Sequence, residues 1–170
     1  MGELPVKAGA GTVGFVHRLI EWWALAGGVV LLGVALLTAW SVATGFFLSK
    51  PLPGDFELTE ILVAVAVFSF LPYCQLTDAN VTADLFTAGA GPRTVAALGL
   101  LAALLALGIG MLLTWRTWAG MLDYRQFVET TTILKIPIWT AYVPALVSLA
   151  LLVLACVIVL VKSARALMHG

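Results

Sequence analysis

The side chains best suited to bind a metal or move protons are two imidazoles and two thiols, and they lie far apart at His17, His169, Cys74 and Cys156. A zinc centre needs three or four such ligands at short fixed spacings. A bis-histidine haem site needs two facing imidazoles, and an intramembrane serine protease needs a histidine beside its nucleophile. Neither histidine falls inside an apolar stretch, the cysteines form no C-x-x-C pair, and no G-x-x-x-x-G-K-[ST] loop is present to cradle phosphates. The expectation is no catalytic residue, no cofactor and no metal site.

Carboxylates are the remaining candidates. Asp55, Glu57 and Glu60 open an apolar run, where an N-cap aspartate and two glutamates in the first turn complement the positive end of a helix. Glu57 and Glu60 share a face at i, i+3, which suits either that first turn or a polar contact with a partner chain. Asp84 either holds the turn after this run or meets a partner. A transporter acting alone keeps an ionisable group at mid-membrane, whereas Glu60, Gln75 and Asp78 all lie near the ends of their run. The chemistry is therefore expected in another chain.

What positions these residues is a set of four uncharged runs, at 22–49, 61–77, 94–115 and 136–161. Each is near or above the roughly 17 residues that a helix needs to cross the hydrocarbon core. Nine basic and nine acidic side chains all fall between or outside them. Without water in the bilayer, backbone groups must bond within their own segment, which leaves helices for runs this long and excludes barrel strands. With 62% hydrophobic and 11% charged residues, the fold class is all-α integral membrane, with four transmembrane helices and short interfacial helices. The spans are expected at about 22–49, 58–77, 94–116 and 136–161, within a single domain from 13 to 170 after a disordered N-terminus at 1–12. Lipid is the expected surrounding, and a net formal charge of zero leaves no basic patch for nucleic acid.

The connections carry the punctuation. Thr12 is placed to cap an interfacial lead-in in which Val13, Val16, Ile20 and Trp23 share one face. The tripeptide Ala24-Leu25-Ala26 resembles a signal-peptidase site, but His17, Arg18 and Glu21 precede it, so the N-terminus is expected to stay attached. Pro72 is expected to bend the second helix, and Pro137 and Pro144 to shape the start of the fourth. Asp78 is placed to cap a short helix through Asp84 and Phe86, and residues 117–135 are expected to lie partly helical near the interface. Gly99, Ala103, Ala106 and Gly110 form a stripe that lets another helix approach. Trp139 and Tyr142 suit either an aromatic belt or an intersubunit groove.

Three stretches then resemble a known family: Pro53-Gly54-Asp55-Phe56-Glu57-Leu58-Thr59-Glu60, Leu71-Pro72-Tyr73-Cys74-Gln75-Leu76 and Val81-Thr82-Ala83-Asp84-Leu85. With Leu134-Lys135-Ile136-Pro137-Ile138-Trp139-Thr140-Ala141-Tyr142 before the last span, they are similar to the small membrane subunit (DctQ type) of TRAP transporters, the tripartite ATP-independent periplasmic transporters. Where the family often has His-Val-Arg-Val-Asp after the second span, this chain keeps only Val81 and Asp84. The resemblance implies a non-catalytic subunit of a bacterial inner-membrane, sodium-coupled transporter. It would brace a large multi-helix membrane subunit that takes organic acid-type substrates from a periplasmic substrate-binding protein. It also implies cytoplasmic termini, with loops 50–60 and 116–135 in the periplasm. That orientation puts Lys7, Arg18, Arg93, Lys162 and Arg165 inside and Lys50, Arg116, Arg125 and Lys135 outside.

Two other classes share this size and composition. A membrane anchor of a quinone-linked redox complex would show a haem absorbance band, and a small homo-oligomeric exporter would move solute in liposomes without help.

Overall fold

The computed structural model describes residues 12–50, 52–77 and 92–169. They form four long helices: α1 (Thr12–Leu48), α2 (Asp55–Leu76), α3 (Pro92–Phe127) and α4 (Trp139–His169). Each is long and apolar enough to cross a membrane. Asp84, with the short helix expected around it, lies outside the described residues, as do residues 1–11.

Separate interfacial helices do not appear among the described residues. The expected lead-in is the first part of α1, and of the expected interfacial stretch at 117–135 the residues to Phe127 are the last part of α3 and the rest is loop. No proline interrupts either junction, so continuing the i→i−4 ladder costs less than leaving four carbonyls unsatisfied. α3 stops where Val128 takes a positive φ of 50°. α4 starts at Trp139, two residues after Pro137, and α2 runs helical across Pro72, whose ring is fully buried.

α1 packs on α2, α2 on α4, and α4 on α3, so α2 and α4 hold the middle of the bundle. α1 buries a narrow seam of Ile20, Ala24, Gly27, Val34 and Ser41, mostly at a seven-residue repeat. At Gly27 the crossing with α2 is closest. A Cβ there would stand 2.7 Å from the Ser69 Cβ and 3.3 Å from the Ala66 carbonyl oxygen. The small-residue stripe of α3 faces α4: Ala103 and Gly110 are buried, a Cβ on Gly99 would lie 3.7 Å from Ser163 Oγ, and one on Gly110 would lie 3.5 Å from Val153. Tertiary structure thus names the partner of a stripe whose partner the sequence left open.

Farther along, Ile20, Leu151 and Ala155 form a buried cluster flanked by Val16, Trp23 and Leu76. The Trp23 indole N–H donates to Ser148 Oγ at 2.9 Å, and the Ser148 hydroxyl donates to the Pro144 carbonyl at 2.9 Å. The hydroxyl and indole that an apolar interior would penalise are thus used to join α1 to α4.

Candidate functional site

The chemistry-bearing residues gather at the end of the bundle where α1 finishes and α2 begins. Ser41 is buried in the α1 seam. Its hydroxyl donates to Asp55 Oδ2 and accepts the Leu52 N–H at 3.2 Å, closing the turn between the two helices. Asp55 is the first residue of α2 rather than its N-cap. The N-cap is Gly54, which makes no side-chain capping bond, while Asp55 Oδ1 accepts the Phe56 N–H at 2.7 Å. The expected cap is displaced because Gly54 takes a left-handed φ of 79°, a conformation that disfavours a Cβ.

The α3–α4 connection folds down onto this turn. Thr130 and Pro137 form an isolated antiparallel bridge, the Thr131 N–H donates to the Ile136 carbonyl at 2.9 Å, and the Ile138 N–H donates to the Glu129 carbonyl at 3.1 Å. Thr131 Oγ1 also accepts the Ile136 N–H at 3.1 Å. The tip of this narrow loop leaves the N–H groups of Ile133 and Leu134 pointing at α2. Glu57 takes both, with Oε1 2.7 Å from the Ile133 nitrogen and Oε2 3.0 Å from that of Leu134. The Leu134 side chain fills the space over Gly54, where a Cβ would meet its Cγ at 2.5 Å.

Beside the clasp, Tyr142 packs on α3. Its ring centroid is 5.3 Å from that of Tyr124, and its ring edge lies against Gly120. The Arg125 guanidinium carbon sits 5.9 Å from the centre of the Trp139 ring, within cation–π reach. The Pro137 carbonyl accepts from both the Thr140 N–H, at 3.1 Å, and its hydroxyl, at 2.7 Å, fixing the first turn of α4.

Of the residues singled out by sequence, Glu57, Pro137, Trp139 and Tyr142 are brought together here. Glu60 lies one turn farther along α2, exposed, and Pro72 is buried toward the opposite end. Sequence reasoning placed Ser41, with Trp40 and Thr44, at a polar end of the first span suited to meet another helix, and missed the role of Leu134. Ser41 carried a signal, being a hydroxyl inside an apolar run, whereas nothing about Leu134 marks it as the cover of a glycine about eighty positions away.

Among the described residues no three His, Cys, Asp or Glu side chains come together, and no buried side-chain nitrogen or oxygen lacks a hydrogen bond. The carboxylates of Asp55 and Glu57 hold backbone and hydroxyl groups in place and so fix the loops at this end. Residues 34–166, most of the chain, match the family model described as Tripartite ATP-independent periplasmic transporters, DctQ component. No curated protein and no solved structure matches the chain.

Proposed function

Because the chain belongs to the DctQ component family of tripartite ATP-independent periplasmic transporters, we propose that it braces the large membrane subunit of a sodium-coupled transporter, without catalysing anything itself. In this reading the chain is a multi-pass protein of the bacterial inner membrane with both termini in the cytoplasm. The clasp end then faces the periplasm, where a binding protein delivers organic acid-type substrates to the large subunit. Exposed Lys50, Asp123, Glu129 and Lys135 near that end offer charges for such an encounter.

The observation that carries the reading is how the polar groups within the helices are used. Trp23 with Ser148 and Ser41 with Asp55 tie helices together, and the Ser69 and Thr114 hydroxyls are satisfied by carbonyls of their own helix, so these groups are spent inside the bundle. A brace needs that internal closure, while a working translocator needs polar groups free to exchange partners.

Reconstitution tests it. Proteoliposomes holding this chain, the large subunit and the binding protein should take up substrate under a sodium gradient, and omission of this chain should abolish uptake. Solute flux through vesicles containing this chain alone would overturn the reading in favour of a self-sufficient exporter.

A further inference from the structure

Phe56, Glu60, Ala64, Val67 and Leu71 recur every three or four residues along α2 and are all exposed, on the side away from buried Ser69. Four of the five are apolar, and Glu60 interrupts them. Its acidic neighbours are engaged inside the chain, Asp55 by Ser41 and Glu57 by Ile133 and Leu134. Glu60 has no hydrogen-bond or ionic partner among the described residues.

Its depth makes this costly. From Thr77 back to Glu60 is about 25 Å at roughly 1.5 Å per residue, less than the approximately 30 Å of hydrocarbon that the helix must cross. α1 points the same way. The Ser41–Asp55 bond sets those two residues level, so the last two turns of α1 rise about 10 Å beyond the start of α2. They carry Phe46 and Phe47, exposed by 81% and 79%. Exposed apolar rings thus continue on α1 beyond the level of Glu60, which lies roughly 7 Å below Asp55 along α2. An ionisable side chain at that depth calls for a partner.

We propose that the Glu60 face of α2 docks against a transmembrane helix of the large membrane subunit, and that a lysine or arginine on that helix meets the Glu60 carboxylate. The inference rests on the partnership proposed above. Charge complementarity selects the occupant. Acyl chains offer no donor, and the stripe contains no basic residue, so two copies of this chain meeting symmetrically through it would bring carboxylate to carboxylate. Ala64, one turn from Glu60, leaves room for a helix to approach.

The test uses the full chain, tagged and co-expressed with the large subunit, with the photo-crosslinking residue p-benzoylphenylalanine placed at Ala64 or Val67. The same probe at Leu105, exposed on α3, gives the background. Cross-links to the large subunit are expected from 64 and 67. Glu60→Ala and Glu60→Arg should each reduce the co-purified large subunit at least about tenfold, with Glu60→Gln between them and wild type. An acidic substitution at the basic residue found by cross-linking should restore binding to Glu60→Arg. If the wild-type complex forms but the probes at 64 and 67 label only lipid or a second copy, the docking face is wrong and the partnership stands. An undiminished complex with Glu60→Ala also overturns the docking face. If the wild-type chain retains no large subunit, the partnership fails and the docking face with it.

Discussion

Glu57 and Leu134 stand 77 positions apart in sequence, yet the Glu57 carboxylate accepts the Leu134 N–H at 3.0 Å while the Leu134 side chain caps Gly54. One residue pair thereby fastens the α3–α4 loop to the start of α2. Since α3 packs on α4 and α1 on α2, the clasp joins the two halves of the bundle at a single end.

Glu57→Gln keeps the shape of this side chain but replaces one accepting oxygen with a donor. One of the two loop N–H groups then loses its acceptor. Hydrogen exchange at Ile133 and Leu134 should quicken by roughly tenfold, while exchange in the middle of α4 stays as in the wild type. Unchanged protection at both loop amides would show that the bridge of Thr130 and Pro137 holds the loop without the carboxylate.

Gly27 and Gly28 are adjacent in sequence and opposite in consequence. A Cβ at 27 would enter the α1–α2 crossing, whereas nothing lies within 4 Å of one at 28. Gly27→Val should destabilise the protein by about 1–3 kcal/mol in a denaturant titration in mixed micelles. Gly28→Ala should be neutral or stabilising by up to about 1 kcal/mol. Equal effects at the two positions would contradict the close crossing at Ser69.

Trp23 and Ser148 form a bond between α1 and α4 that a double-mutant cycle isolates. Trp23→Phe and Ser148→Ala together should show a coupling of about 0.6 kcal/mol, the usual size for a hydrogen bond between membrane helices. Additive single effects would mean that packing of the indole against the Ile20, Leu151 and Ala155 cluster, rather than its N–H, secures this junction.

Helix type, number and approximate span were legible in the sequence because removing backbone groups from water leaves an uncharged run of this length one hydrogen-bonded solution. Helix ends were less legible. Trp115, Arg116 and Trp118 mark the end of the apolar run, but a helix continues past such residues when no proline or positive φ stops it, as α3 does to Phe127. Asp55 was misplaced by one position for a similar reason. Gly54 takes the cap through its left-handed φ of 79°, and the Leu134 side chain packed above it, distant in sequence, leaves no trace in the local sequence.

By itself, the chain's order of residues determined a four-helix membrane protein with its charged side chains between or outside four apolar runs, and it carried the family resemblance that the match over residues 34–166 bears out. Only the tertiary structure decided that the α3 stripe serves α4, that Glu57 holds a loop, and that Glu60 faces outward without a partner among the described residues. The physical reason is range. Hydropathy and helix-end electrostatics act within a few residues along the chain and leave a readable pattern. Which face of one helix meets which face of another is set by close packing between segments distant in sequence, and that appears only once the helices stand side by side.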